Sequence, residues 1–506
     1  MRLRLIDMGR LSFFHKTLVI AVLGLGIYFR FEHLDKKLLW HDEVGTKLFA
    51  AGLHIEDWQS HLYNGRVIDV EAVRSIYRLE RRGPLDILRG LVQDDPQHPP
   101  LYYLIAGIWM RRFGDDIVTL RLLSALLSLF VFPAMYWLCQ ELFRSAWITW
   151  TGVALVATSP FFVLYAQEAR EYALWFALVL FSNAALLRAL RLTHPTGPLD
   201  PRLLTAWALY TIFTVLGLYT SLATAHLMIA QAMFVGFRER LRINRITLMS
   251  AGAFAIVAIL FLPWAIALMI RWEAFAISMA WSKVITIPTR SLLEIFALNL
   301  SRPSIDFWPD RHGGIVTIAG IGLAMVLVIL AIVFMIRRAR LRTAALVLAL
   351  IFVPVLMLLG PDLLFGGIRS VSARYLTITL MGVELALAFL FGSSIKGNRG
   401  WFCIWLIALF VRIGSCFHNA KQEVVWTKGI SYNLPQVARF INQAPAPLVV
   451  GNRERHHPGN LLALSFLLKP GTKMQFLTPE MVEKDYRLLR PFTVFLFSPI
   501  DQFRQN

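Results

Sequence analysis

The chain has 506 residues, with 51 lysines and arginines against 32 aspartates and glutamates, a formal net charge of +19. Hydrophobic residues make up 57% and charged residues 16%, where soluble domains average about 45–50% and about 25%. This balance excludes a string of soluble domains, a disordered chain and a disulfide scaffold, and it makes the basic excess a matter of membrane orientation, with no nucleic acid as partner.

Only a helix satisfies its own backbone in hydrocarbon, and a crossing needs roughly 20 mostly apolar residues. Such stretches start near residues 14, 118, 147, 171, 203, 221, 246, 314, 343, 373 and 400. They predict an all-α polytopic membrane protein with about 11 (11–13) transmembrane helices. The first begins among Arg2, Arg4, Arg10 and Lys16 and has no small-residue cleavage site before Arg30, which reads as a retained helix with a cytoplasmic start. A shorter run, Pro99 to Phe113, ends in Arg111 and Arg112. If it stays out of the membrane, the basic loops at Arg144, Arg188 to Arg202, Arg238 to Arg245, Arg337 to Arg342, and Lys396 with Arg399 all join the basic N-terminus. The positive-inside bias therefore places this run along the outer surface as an amphipathic helix.

An odd number of crossings puts the two ends on opposite sides. The outer face then receives a long first loop (32–117), the turn 167–171, a loop at 271–313, the stretch 360–375 and the tail from 418. In the tail, short β-rich runs (Leu448 to Val450, Met474 to Leu477, Thr493 to Phe497) alternate with helical ones between Pro and Gly. Two domains are expected: a transmembrane part, 1–417, and a small extracytoplasmic α/β domain, 418–506. Cys139, Cys403 and Cys416 lie in or beside apolar segments and outline neither a metal cluster nor a bridge.

Charged residues are nearly missing from the interiors of the spans, where a channel or carrier would keep them. They gather instead in outer loops and at helix mouths, which favours a site at the membrane surface with one lipid-borne substrate. Four clusters stand out. Trp40-His41-Asp42-Glu43 sets two adjacent carboxylates just beyond the first span, able to take a proton from a hydroxyl or hold a divalent cation; a solvated helix start is the plainer reading. Asp94-Asp95-Pro96-Gln97-His98-Pro99 precedes Tyr102 and Tyr103, with His98 able to meet a phosphate or a sugar. Tyr165-Ala166-Gln167-Glu168-Ala169-Arg170-Glu171-Tyr172 crowds polar groups between two spans, and pairing of Arg170 with Glu168 or Glu171 would account for them. Arg369 to Tyr375 opens an outer span with Arg374, suited to bidentate phosphate binding or to snorkelling toward head groups.

In this order, His98-Pro99-Pro100-Leu101-Tyr102-Tyr103, Phe113-Gly114, Arg121-Leu122-Leu123-Ser124-Ala125, Ser159-Pro160-Phe161 and Tyr165 to Arg170 resemble the bacterial members of the dolichyl-phosphate-mannose–protein mannosyltransferase-like family, related to aminoarabinose lipid A transferases. Trp40 to Glu43 resembles the family's acidic motif after the first helix, and Ala373-Arg374-Tyr375 its late Arg-Tyr motif. The strong part covers about residues 35–180. The resemblance implies the C-type membrane glycosyltransferase fold (GT-C), a polyprenyl-phosphate sugar as donor, and inverting transfer of a hexosyl or pentosyl group to an extracytoplasmic hydroxyl on a glycolipid, polysaccharide or protein. It maps the catalytic carboxylate onto Asp42. Where aminoarabinose transferases carry Glu before Lys-Pro, this chain has Gln97-His98, so a second carboxylate is missing at that position.

The expected division of labour is Asp42 as base and Arg374, with Tyr375, at the donor phosphate. Glu43, His98, Tyr102, Glu168 and Arg170 line the substrate pocket, and Asp42 with Glu43 are the candidate ligands of a divalent metal ion. The reading expects Asp42 and Arg374 in one water-facing cavity of a bacterial inner-membrane protein surrounded by membrane lipids. A flippase of lipid-linked sugars or a non-catalytic envelope-assembly protein would use the same spans without that chemistry.

Overall fold

The computed structural model describes residues 13–78, 82–198, 200–307, 314–453, 457–482 and 492–497. The basic start at Arg2, Arg4 and Arg10 lies outside the described residues. The chain clusters into two compact units, one of residues 1–32, 96–102 and 124–421, the other of residues 33–95, 103–123 and 422–506. The first loop, which the sequence groups with the transmembrane part, thus clusters with the tail.

Along the chain, nine helices among the described residues are long and apolar enough to cross a membrane, and a bent pair makes a tenth. The protein is a multi-pass membrane protein. The stretch expected to cross from residue 221 forms only Thr224–Arg238, 15 residues, about 22 Å of helix at 1.5 Å per residue. The run before Arg111 and Arg112 forms Leu101–Phe113, 13 residues; at about 20 Å it is too short for a hydrocarbon core of about 30 Å.

In the first unit the helix starts follow from the sequence. Asp200 accepts from the Leu203 amide at 2.7 Å, with Pro201 at the first helical position, and Asn244 accepts from the amides of Ile246 and Thr247. Helix Arg245–Ile270 turns Ile256, Ile259, Leu260 and Ile266 outward, the face a lipid environment covers. The bent pair, Ala146–Ala157 and Pro160–Ala166, turns by 55° at its break. Such a break frees backbone carbonyls that hydrocarbon cannot hydrate. Arg30, at the end of helix Phe13–Phe31, donates to the carbonyls of Ala157 at 2.9 Å and Val156 at 3.2 Å.

The span interiors are less uniformly apolar than their composition suggests. Glu384 and Arg412, both buried, form an ion pair of 2.8 Å between helices Thr377–Ser394 and Arg399–Lys421. Gln231 of the short helix Thr224–Arg238 accepts from Tyr210 and donates to Ser182 and Asn183. These side-chain bonds tie three helices where lipid offers no hydrophobic driving force between them.

The second unit is α/β. Strands β1 (Val67–Asp69), β2 (Pro447–Asn452), β3 (Lys473–Leu477) and β4 (Thr493–Phe497) form one sheet in the order β1-β3-β2-β4. β1 runs antiparallel to β3, while β2 is parallel to β3 and to β4. The three tail strands coincide with the β-rich runs of the sequence; β1 comes from the first loop. Helices His41–Ala50 and His457–Ser465 join the sheet in one core that includes Trp40, Val44, Leu48, Trp58, Leu461, Leu464, Met474 and Phe476. Gly451 lets β2 lie close to helix His457–Ser465, because a Cβ there would stand 2.3 Å from Leu461.

Candidate active site

The sequence-predicted residues fall into two groups, one in each unit. In the first unit, the broken span and helix Tyr172–Leu192 are joined by a short polar turn. Gln167 donates to the carbonyls of Phe29 at 2.6 Å and Glu32 at 2.8 Å, which fixes the turn to the end of the first helix. Arg170 is buried, 3% exposed, and its partner is Glu171: Arg170 Nε stands 3.3 Å from Glu171 Oε2. Of the two carboxylates the sequence offered to Arg170, Glu171 provides the ion pair, and Glu168 accepts from the Arg170 amide through its backbone carbonyl at 2.8 Å.

Arg170 Nη2 also lies 2.8 Å from His98 Nε2. A guanidinium has no acceptor, so His98 accepts through Nε2 and keeps Nδ1 as its donor. Tyr102 is buried and shares a 2.7 Å hydrogen bond with Ser124, whose hydroxyl reaches the Arg170 carbonyl at 3.5 Å. Tyr102 therefore reaches the turn through Ser124.

Arg374 joins this group through an aromatic ring. Its guanidinium lies 5.9 Å from the Tyr172 ring and 5.5 Å from that of Tyr375, and Arg170 lies 5.7 Å from the same Tyr172. Tyr375 in turn stacks on Trp281. The segment leading to Arg374 is pinned from behind: Asp362 accepts from the Ser370 amide at 2.7 Å and from Arg369 at 2.8 Å, and Asn299 donates to the Val371 carbonyl at 2.7 Å. Three of the four sequence clusters thus meet around Tyr172, with two guanidiniums, an imidazole and the Glu171 carboxylate among aromatic rings. Such a set suits an anion carried by an apolar tail.

In the second unit, Asp42 and Glu43 stand in the first turn of helix His41–Ala50, where the helix dipole favours negative charge. The N-cap itself is Trp40, whose side chain makes no cap bond. Asp42 is partly exposed. Glu43 is fully buried. Its Oε1 accepts from Arg121 Nε at 2.8 Å, and its Oε2 accepts from Arg121 Nη2 at 2.7 Å and Lys428 Nζ at 2.8 Å. The same guanidinium donates to the carbonyls of Leu34, Lys37 and Leu38. Burial alone would raise the pKa of Glu43, but the charges of Arg121 and Lys428 outweigh it and bring it down to about 2.

Glu43 therefore faces inward and does not fit the metal-ligand role expected of it, since two cations occupy its oxygens. Among the described residues no group of three or more His, Cys, Asp or Glu stands together as a metal site. Sequence reasoning gave Lys428 no role and met Arg121 only inside a motif; a lone lysine in a tail carries no spacing signal that would single it out.

No protein-family model matches the sequence, and the search of curated proteins found no match. Solved structures do match by fold. The oligosaccharyltransferase AglB from Archaeoglobus fulgidus, solved with an inhibitory peptide and a dolichol-phosphate, aligns at TM-score 0.53 and 11% identity over 93% of this chain and 65% of that one. An Archaeoglobus fulgidus oligosaccharyltransferase tethered to an acceptor peptide containing the NVT sequon aligns at TM-score 0.53 and 11% identity, over 93% of this chain and 64% of that one. This chain spans less than two thirds of the oligosaccharyltransferase's length. A weaker likeness, at TM-score 0.49 and 12% identity over 91% of this chain and 85% of that one, is to ArnT from Cupriavidus metallidurans bound to undecaprenyl phosphate. The chain shares the fold of the C-type membrane glycosyltransferases.

Proposed function

We propose that this protein is a membrane glycosyltransferase that moves a sugar from a polyprenyl-phosphate donor to a hydroxyl acceptor outside the cytoplasm, with inversion at the anomeric carbon. The observation that carries the reading is the gathering of Arg170, His98 and Arg374 around Tyr172 in the helical unit. A phosphate esterified to a long isoprenoid needs such a combination, because its charge must be met at the edge of the hydrocarbon that holds its tail. The solved relatives lend support, since one was crystallised with dolichol-phosphate. The enzyme would sit in a bacterial inner membrane, with the second unit on the outer side.

In the proposed reaction Asp42 takes the proton of the acceptor hydroxyl as its oxygen bonds to the anomeric carbon. The bond from that carbon to the phosphate oxygen breaks on the opposite face, and its electron pair leaves with the polyprenyl phosphate. Arg374 donates to the phosphate oxygens as charge builds there, an interaction worth roughly 3 kcal/mol in comparable sites. Arg170, held by Glu171 and His98, orients the sugar or the acceptor. Tyr375 and Tyr102 support the two arginines, and Glu168 belongs to the turn that carries Arg170. Glu43 does not touch substrate in this scheme; it anchors the helix that presents Asp42.

Membrane vesicles holding the protein, supplied with a polyprenyl phosphate bearing a radiolabelled sugar, test the reading. Label is expected on a lipid, glycan or protein acceptor, and Asp42→Asn is expected to slow transfer about a thousandfold. Label that only crosses the vesicle would indicate a flippase, and wild-type turnover by well-expressed Asp42→Asn would remove Asp42 from the chemistry.

A further inference from the structure

The helix that carries Asp42 does not build its own beginning. Trp40, its N-cap, supplies no side-chain acceptor, yet the first amides of a helix need partners. The partner of the His41 amide is the hydroxyl of Ser431, at 3.2 Å, and that hydroxyl donates to Asn460 Oδ1 at 2.7 Å. Three residues earlier, Lys428 is fully buried, bonded to Glu43 and placed 5.8 Å from the Trp40 ring. The backbone kinks at Lys428, with φ −102° and ψ 28° inside the 3-10 stretch Trp426–Ser431. Just before it, the Glu423 carbonyl accepts from the Leu38 amide at 2.9 Å. Gly459 completes the seat: a Cβ at that position would stand 2.2 Å from His41 Nδ1.

Four contacts from the segment that follows the last span thus converge on residues 38–43. From them we infer that the tail segment 426–431 is part of the catalytic apparatus, with Lys428 and Ser431 as positioning residues that set the start of the Asp42 helix. Lys428 acts through Glu43, the next residue in the same turn. Ser431 acts through the amide of the residue just before Asp42. The tail is then a working part of the site, and its removal would leave the acidic motif present but misplaced. This inference rests on the reading of Asp42 as the base.

Lys428→Met, Lys428→Arg, Ser431→Ala and Ser431→Thr in the full chain test it, by amide hydrogen exchange and by transfer kinetics. In Ser431→Ala the amides of residues 41–44 are expected to exchange about tenfold faster, and Ser431→Thr to restore their protection. In Lys428→Met, kcat is expected to fall about tenfold while the KM for the lipid-linked donor stays within about twofold, with Lys428→Arg recovering most of the loss. Unchanged exchange at residues 41–44 in Ser431→Ala overturns the inference, as does an unchanged kcat in a folded Lys428→Met. If Lys428→Met does not fold, the Ser431 pair decides. Absence of transfer by the wild-type protein would sink the proposed function alone, because the exchange measurement reads the placement of the helix without any turnover.

Discussion

The two charged clusters use the same residue types to opposite ends. Around Glu43, contacts are short, 2.7 to 2.8 Å, and all three side chains are buried. Around Tyr172, Arg170 lies 2.8 Å from His98 and 3.3 Å from Glu171, His98 has 20% of its side chain exposed, and both arginines lie near aromatic rings. A buried, fully bonded cluster is costly to disturb and so fixes geometry. A cluster with a partly exposed imidazole offers an edge that an anion can reach. The first is built to hold a neighbour in place and the second to receive a ligand.

The largest expected effect is on the first cluster. Arg121→Met strips Glu43 of one of its two cations and leaves three carbonyls without their donor, and it should destabilise the second unit by about 3–5 kcal/mol, read as a lower midpoint of thermal or denaturant unfolding. The pH dependence sharpens the point. Because the folded pKa of Glu43 lies near 2 and its ordinary value near 4.5, its stabilisation is complete above about pH 4.5 and is lost as pH falls toward 2. Glu43→Gln should therefore unfold more easily than wild type at neutral pH, and the gap should narrow only below about pH 4.5.

On the second cluster the effects should appear in turnover with little change in stability. Arg374→Ala is expected to lower kcat/KM about a hundredfold or more for the lipid-linked donor, with an unfolding midpoint close to wild type. Equal losses in stability and turnover would mean the arginine is structural. The smallest effect is expected from His98→Ala, which removes one hydrogen bond to Arg170 and should lower kcat/KM about tenfold, roughly 1.4 kcal/mol. If His98→Ala matches Arg374→Ala, the imidazole itself meets the substrate.

Much of this architecture was legible in the sequence because hydrocarbon imposes one rule. A run of about 20 apolar residues has few alternatives to a helix, and the β-rich runs at Leu448, Met474 and Thr493 became β2, β3 and β4. The meeting of His98, Arg170 and Arg374 was legible only as three ordered motifs. Other features left fainter marks. β1 spans three residues, too few for a period-two pattern. Glu384 and Arg412 each stand alone in an apolar helix, and their only local sign is the cost of such a charge in hydrocarbon. Lys428 left none, since its partner lies 385 residues away.

That separation has a consequence for the protein's making. β1 and the helix carrying Asp42 emerge from the ribosome well before β3, Lys428 and Ser431, with 385 residues between Glu43 and Lys428. At about 5–20 residues per second the early segment waits roughly 20–80 s for its partners. During that interval Trp40, Val44 and Leu48, core residues of the finished unit, lack their tail partners Leu461, Leu464, Met474 and Phe476. A nascent chain stalled in the last spans would carry the Asp42 helix without Lys428 and Ser431, so the acidic motif is seated only once segment 426–431 has been made.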